Sequence, residues 1–278
     1  MPEGDTVWLA ARRMHDALAG HLLVRTDFRV PRLATTDLAG QSVTAVVSRG
    51  KHLLTRTDAG LTLHTHFRMD GSWHLYRAGS RWSGGPDWQV RVVLATDDWQ
   101  AVGYRLPVVE LVATDDESSV VGHLGPDILG PDWDLDEAVR RIAARPEREL
   151  GPALLDQRNL AGIGNLYKTE ALFLSGLTPW TRVGDVADLS PVVRRAHRLL
   201  SANRGHWQQT TTGNTRKGEQ HWVFERAGRP CRRCGARIAQ AMQGEPDHPE
   251  QARVCYWCPQ CQRGPSAAAS AADCRSSS

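Results

Sequence analysis

No run of about 18 apolar residues occurs in this 278-residue sequence, so no membrane-spanning helix is expected. No basic stretch followed by an apolar core opens it. Met1-Pro2-Glu3-Gly4-Asp5 starts acidic and predicts no secretory signal. No cysteine precedes position 231. All six lie late, at Cys231, Cys234, Cys255, Cys258, Cys261 and Cys274. A disulfide scaffold would spread them along a small secreted chain, so clustering predicts a metal site in a reducing compartment. No internal repeat is present. An excess of one charge is also missing overall: 34 basic against 31 acidic side chains leave +3. The hydrophobic share of 41% and charged share of 23% exclude collagen-like and wholly disordered classes.

The charge is unevenly placed. Residues 201–263 hold ten Arg and Lys against five Asp and Glu, or +5, which leaves −2 for the remainder. A local basic excess suits a polyanionic partner. Along the chain, Val7, Ala10, Met14 and Leu18 share one face of a helix expected over 5–19. Strand-like runs follow at Val43–Val47, Leu53–Thr55, Leu61–His64, Trp73–Tyr76, Gln89–Leu94 and Val108–Val112, separated by Gly- and Asp-containing turns. That spacing predicts a sandwich or barrel. Three glycines and two prolines within Gly122–Asp132 read as a hinge. Helical patterns then cover 134–142, 149–156, 166–175 and 190–202. The Ser/Ala-rich stretch from Gly264 is expected to be disordered.

Cys231-Arg-Arg-Cys234 and Cys258-Pro-Gln-Cys261 are two knuckles with 23 residues between them. Each tight turn aims two thiolates at one ion, and two turns complete a tetrahedron. This predicts a single structural zinc with no open coordination position. Cys255 and Cys258 share the same spacing. The Pro-containing turn favours Cys258 with Cys261 and leaves Cys255 as a spare thiol. His248 reads as a surface histidine. Arg253 falls on the hairpin between the knuckles, where it would meet a polyanion.

Two further segments carry chemistry. Removal of Met1 would give Pro2 a secondary amine. A free α-amino group titrates at about pH 8, so roughly a tenth is unprotonated at neutral pH. Such an amine can attack a sugar carbon and form an iminium, with Glu3 beside it to move a proton. Asp156 through Asn165 places Gly162 and Gly164 before a helical pattern, where backbone N–H groups and Asn165 can face a phosphate.

These pieces together resemble the formamidopyrimidine-DNA glycosylase and endonuclease VIII family, most like its endonuclease VIII branch in actinobacterial form. The resemblance runs over about residues 1–263. It is carried in order by Met1-Pro2-Glu3-Gly4, Ser48-Arg-Gly-Lys51-His-Leu53, His66-Phe-Arg-Met69-Asp-Gly-Ser72, His123-Leu-Gly-Pro126, Asp156 through Asn165, and the two knuckles. It implies an α+β multidomain fold. A β-sandwich with a leading helix would occupy 1–126, and a linker 127–133. A helix–two-turn–helix domain would follow at 134–225, a four-cysteine zinc finger at 226–263, and a disordered tail at 264–278. It also implies a bifunctional DNA glycosylase and abasic-site lyase of base excision repair. Pro2 would be the nucleophile on C1′, Glu3 the general acid, and Lys51 a contact to the phosphate flanking the lesion. Asn165 and Arg253 would bind backbone phosphates, and Met69 would enter the space of the flipped base.

The implied partner is damaged double- or single-stranded DNA, met by a cytoplasmic, nucleoid-associated monomer with no membrane partner. Zinc is the implied metal, held by Cys231, Cys234, Cys258 and Cys261, with no redox or nucleotide cofactor. Departures from the purine-directed branch point to oxidised pyrimidines. Asp5-Thr6 stand where that branch has Pro-Glu. Gln100-Ala-Val-Gly103 stand where it has Arg-Arg-Phe-Gly. The stretch Thr210–Gln220 is short for its base-covering loop. The rival readings are a purine-directed enzyme, a non-catalytic DNA-binding paralogue, and an RNA-binding zinc protein. The last leaves the N-terminal motif unused. The alternating His64, His66 and His74 read as hydrogen-bonded polar groups on a strand face rather than a metal site.

Overall fold

A computed structural model describes residues 2–266 apart from 246 and 248. His248, Cys274 and most of the stretch expected as a tail therefore lie outside the described residues. Two compact units meet in the chain between His123 and Leu124.

The first unit opens with α1 (Gly4–Leu18). Its Val7, Ala11, Met14 and Leu18 fall at helical spacing and are all buried. Eight strands follow: β1 (Arg25–Phe28), β2 (Val43–Arg49), β3 (His52–Thr57), β4 (Leu61–His66), β5 (Ser72–Arg77), β6 (Val90–Ala95), β7 (Trp99–Tyr104) and β8 (Val108–Ala113). They form two antiparallel four-stranded sheets, ordered β1-β6-β7-β5 and β2-β3-β4-β8. Alternation sends Val92, Leu94 and Ala101 of one sheet, and Val46, Leu53 and Leu63 of the other, into a single core with α1. This is the sandwich with a leading helix that the resemblance implies; the strand spacing alone leaves a barrel open beside it. Residues 114–123, with the short α2 (Ser118–Val121), lie against the far side of the second sheet. There Glu117 takes a bidentate ion pair from Arg56 at 2.7 Å and a hydrogen bond from Thr62 at 2.8 Å.

Two strands escape the sequence pattern. β1 is four mostly polar residues, Arg-Thr-Asp-Phe, with one buried side chain. β7 contains Gly103 and no β-branched run, yet it is paired on both sides.

The second unit contains α3 (Leu135–Ala143), α4 (Leu150–Leu155), α5 (Asn165–Ser175), α6 (Ser190–Asn203) and the hairpin β9 (Ala239–Gln243) with β10 (Arg253–Trp257). Asp134 caps α3 by accepting from Glu137 N–H at 3.0 Å. The 127–133 stretch, expected as a linker, belongs to this unit instead. Asp127, Ile128 and Leu129 are buried, and Ile128 N–H donates to Ala161. Glycine and proline mark turns there, but apolar contacts hold them in the core. α5 packs against α4, α6 and β10 and is buried on nearly every face from Asn165 to Phe173.

Leu53 sits fully buried at the centre of the first unit. Leu53→Ala is expected to lower stability by about 2–5 kcal/mol, read as a shift of the urea midpoint at unchanged slope.

Candidate active site

Pro2 is half-buried, and Glu3 behind it is wholly buried at the N-cap of α1. A carboxylate at this end of a helix meets the positive end of the peptide dipoles. Asp5, in the first turn of α1, is buried as well. The helix that Pro2 and Glu3 introduce packs on β2 and β3. Those strands are joined by the two-residue turn Gly50-Lys51, with Arg49 paired to His52. Gly50 has φ +58°, at the first central position of the turn, where a tight hairpin needs positive φ. Lys51 is thereby held at a fixed point on a rigid hairpin, half-exposed.

Met69 lies on the loop after β4 and is 56% exposed, which is unusual for a large apolar side chain. The loop is tightly built. Phe67 is buried, Gly71 N–H returns to Phe67 C=O at 2.9 Å, and a Cβ on Gly71 would lie 2.7 Å from that oxygen. Arg68 takes φ +46°, and its N–H donates to His66 Nδ1 at 2.9 Å. Arg105 Nε donates to Asp70 C=O at 3.0 Å. The loop thus presents an apolar side chain to solvent on a backbone pinned at both ends.

Histidines gather on β3 and β4. His52 stacks on His64 with centroids 5.0 Å apart, and stands edge-on to His66 at 4.7 Å and to His123 at 6.0 Å. His64 is hydrogen-bonded to Glu110, and His74 to Ser72. Burial, with the charges of His66, His64, His123 and Lys51, holds His52 down at about 3. Burial, then Lys51, His64 and Arg68, holds His66 at about 4. Both rings are neutral at physiological pH.

In the second unit the structure brings Asn165 and the Arg253 strand together. Asn165 Nδ2 donates to Val254 C=O at 2.8 Å, while its buried Oδ1 has no partner among the described residues. Arg253 is exposed on β10, beside Val254. Gly162 N–H, expected to face a phosphate, is turned inward to Gln157 Oε1 at 3.0 Å. Asp156 accepts from Arg158 at 2.9 and 3.0 Å and from Arg148 at 3.0 Å. Burial pushes its carboxyl up, but those bonds win and hold it at about 2.

Residues that sequence reading did not single out are buried on α5. Glu170 accepts backbone N–H bonds from Trp222, Val223 and Phe224, each at 2.8 Å, and Lys168 Nζ lies 2.9 Å from Cys255 Sγ. A helical Lys-Thr-Glu triplet carries no sign of burial. Only the absence of a polar face on this helix could have flagged it.

The four knuckle cysteines converge, with every Sγ within 4.8 Å of the others. Cys231 and Cys261 are 3.8 Å apart, and Cys234 and Cys258 3.4 Å. A tetrahedral ion with bonds of about 2.3 Å needs sulfurs about 3.8 Å apart. Backbone N–H groups of Arg233 and Cys261 point at Cys231 and Cys258 Sγ at 3.4 Å. The donor set is all thiol, as zinc favours. Cys255 stands outside the cluster, as the Pro-containing turn at Cys258–Cys261 predicts where spacing alone leaves two choices.

The formamidopyrimidine-DNA glycosylase N-terminal domain matches residues 1–107, and the corresponding H2TH domain matches residues 124–198. The chain therefore belongs to the formamidopyrimidine-DNA glycosylase and endonuclease VIII family. It is 57% identical over 267 residues to a probable endonuclease 8 2 of Streptomyces coelicolor, covering 95% of each chain. It is 45% identical over 262 residues to the DNA-(apurinic or apyrimidinic site) lyase Nei2 of Mycolicibacterium smegmatis, covering 94% of this chain and 99% of that one. Its fold is that of the Lactococcus lactis formamidopyrimidine-DNA glycosylase solved non-covalently bound to DNA containing an abasic site. The TM-score is 0.77 at 21% identity, over 94% of this chain and 100% of that one. Among the described residues no helix is long and apolar enough to cross a membrane.

The depressed His52 and His66 set a pH window. Unfolded histidine titrates at 6.5, so their neutral burial stabilises the fold fully above that value. The contribution is lost as pH falls from 6.5 through about 4 to about 3. Urea titrations across this range are expected to show falling stability, with a shallower fall in His52→Gln. In the second unit, mass spectrometry under native conditions is expected to find one zinc per chain, with Cys234→Ser losing the metal.

Proposed function

We propose that this chain excises oxidised bases from DNA, pyrimidines in preference to purines, and cleaves the resulting abasic site by successive β- and δ-elimination. The observation that carries the reading is the pair at the head of α1: a half-buried Pro2 followed by a wholly buried Glu3. After Met1 is removed, the Pro2 nitrogen lone pair attacks C1′ and the base departs from that carbon. The sugar ring opens as Glu3 delivers a proton to its oxygen, leaving an iminium between Pro2 and C1′. Loss of the 3′ phosphate, then of the 5′ phosphate, leaves a one-nucleotide gap. Hydrolysis of the iminium frees the amine.

DNA holding falls to separate groups. Lys51 on its hairpin turn contacts the phosphate flanking the lesion. Arg253, and the amide hydrogen of Asn165 not taken by Val254, contact further phosphates. Met69 fills the space left by the extruded base. Cys231, Cys234, Cys258 and Cys261 hold a structural zinc that keeps the Arg253 hairpin folded. The protein acts as a monomer in the cytoplasm on double- or single-stranded DNA.

The pyrimidine preference is supported by β7. Gln100 through Gly103, standing where purine-directed relatives have a wedge, lies in a strand paired on both sides. The Gln100 side chain accepts from Trp82 and Arg25 and donates to Arg77 C=O. Ala101, Val102 and Gly103 are buried, so none of the three offers a side chain to a DNA stack.

Borohydride trapping tests the reading. Protein freed of Met1 is expected to form a covalent adduct with a duplex carrying thymine glycol or dihydrouracil, and less with 8-oxoguanine. N-acetylated protein should lose the adduct by about a hundredfold or more. Equal trapping after acetylation would exclude Pro2 as the nucleophile.

A further inference from the structure

The outer face of the second sheet carries a connected line of polar groups. His52 of β3 pairs with His66 of β4, and His64 pairs with Glu110 of β8. Strand alternation puts these four side chains on one face, opposite Leu53, Leu63 and Leu111 in the core. His64 is 3% exposed, whereas the Glu110 side chain is 45% exposed. Two hydrogen bonds join them in series. Glu110 Oε2 lies 3.0 Å from His64 Nδ1, and His64 Nε2 lies 2.8 Å from His52 Nδ1.

The direction of these bonds follows from the donor inventory. An ionised carboxylate can only accept, so His64 carries its hydrogen on Nδ1. A neutral His64 then has a lone pair on Nε2. The hydrogen between the rings must come from His52 Nδ1. A neutral His52 is left with a bare lone pair on Nε2. The groups facing His52 are Lys51 beside it in the chain, His64, His66 and His123. Those facing His66 are Lys51, His64 and Arg68. Two cationic side chains stand near these rings, and a lone pair suits such surroundings better than a second N–H dipole.

We propose that Glu110 and His64 are positioning residues for Lys51. Their hydrogen-bond chain locks His52 in the Nδ1–H form, so that the Lys51 turn is flanked by an acceptor and its ammonium stays directed to the DNA phosphate. This rests on the phosphate-contact reading of Lys51. Removing the Glu110 carboxylate frees His64 to take the Nε2–H form. The bond to His52 then reverses, His52 places its hydrogen on Nε2, and the Lys51 turn faces a donor. Glu110→Gln keeps an acceptor oxygen at the same place and preserves the chain.

Nitrogen-15 NMR of histidine-labelled protein reads the tautomers directly, with His52→Asn and His64→Asn used to assign the rings. In the wild type, both rings are expected to be protonated at Nδ1 and bare at Nε2. Glu110→Ala should move both to the Nε2–H form, and Glu110→Gln should not. In abasic-site cleavage, Glu110→Ala should raise KM about tenfold with kcat little changed, as loss of a partner that fixes a tautomer does elsewhere. Glu110→Gln should restore KM. A wild-type His52 protonated at Nε2, or an Ala variant with unaltered tautomers or KM, overturns the proposal. Lys51→Gln separates the two readings. If it leaves KM unchanged, the phosphate contact is wrong even where the tautomers are as described.

Discussion

A helix buried on nearly every side can carry charged groups only where other segments answer them, and the second unit is organised around that requirement. α5 brings Asn165, Lys168 and Glu170 into the interior. An unanswered charge there would cost several kcal/mol. Asn165 is answered by the Val254 carbonyl, Lys168 by the Cys255 sulfur, and Glu170 by three consecutive N–H groups at Trp222, Val223 and Phe224. The first two partners lie on the strand that carries Arg253. The third precedes the first cysteine knuckle. One helix therefore anchors the hairpin and the approach to it, and the thiol cluster closes what α5 has already aligned.

The first unit solves a different problem. Its sandwich core is ordinary, built from alternating strands and one amphipathic helix. Polar residues assigned a chemical role stand at the margins of that core: Glu3 at a helix start and Lys51 in a two-residue turn. These positions are set by backbone geometry that rigid neighbours enforce, so the side chains need little support of their own. The outer face of the second sheet is the exception. There histidines, Arg56, Glu110 and Glu117 form a polar layer that residues 114–123 partly cover.

Most of the fold was legible because it rests on local signals. Alternation marked six of the eight sandwich strands, helical spacing marked α1, and Asp134 marked the start of α3. The knuckle spacing pointed to a four-thiol cluster, and the Pro-containing turn, not the spacing, set Cys255 apart. β1 and β7 stayed hidden because their stability comes from pairing rather than from their own residues. Pro2, Glu3 and Lys51 could be singled out because each sits in a short motif, Pro2 and Glu3 by their own chemistry and Lys51 by the resemblance. Glu110, Lys168 and Glu170 were not, because their meaning lies in partners 46 to 87 positions away along the chain. The inward turn of Gly162 shows the same limit: the motif was read, but Gln157 decides where its N–H goes.

The placement of Cys255 bears on how the metal cluster is assembled. Three cysteines stand within seven residues, and two spacings of the same length compete, Cys255 with Cys258 and Cys258 with Cys261. In a nascent, open chain an incoming ion sees no difference between them. Once β10 docks, Cys255 is wholly enclosed and its sulfur lies between Lys168 Nζ and Gln243 Oε1. A misligated hairpin cannot adopt that arrangement without leaving Lys168 stranded in the core. Docking of the strand on α5 thus favours Cys258 with Cys261 as the second pair of the thiol cluster, because recruiting Cys255 would unpair a buried amine.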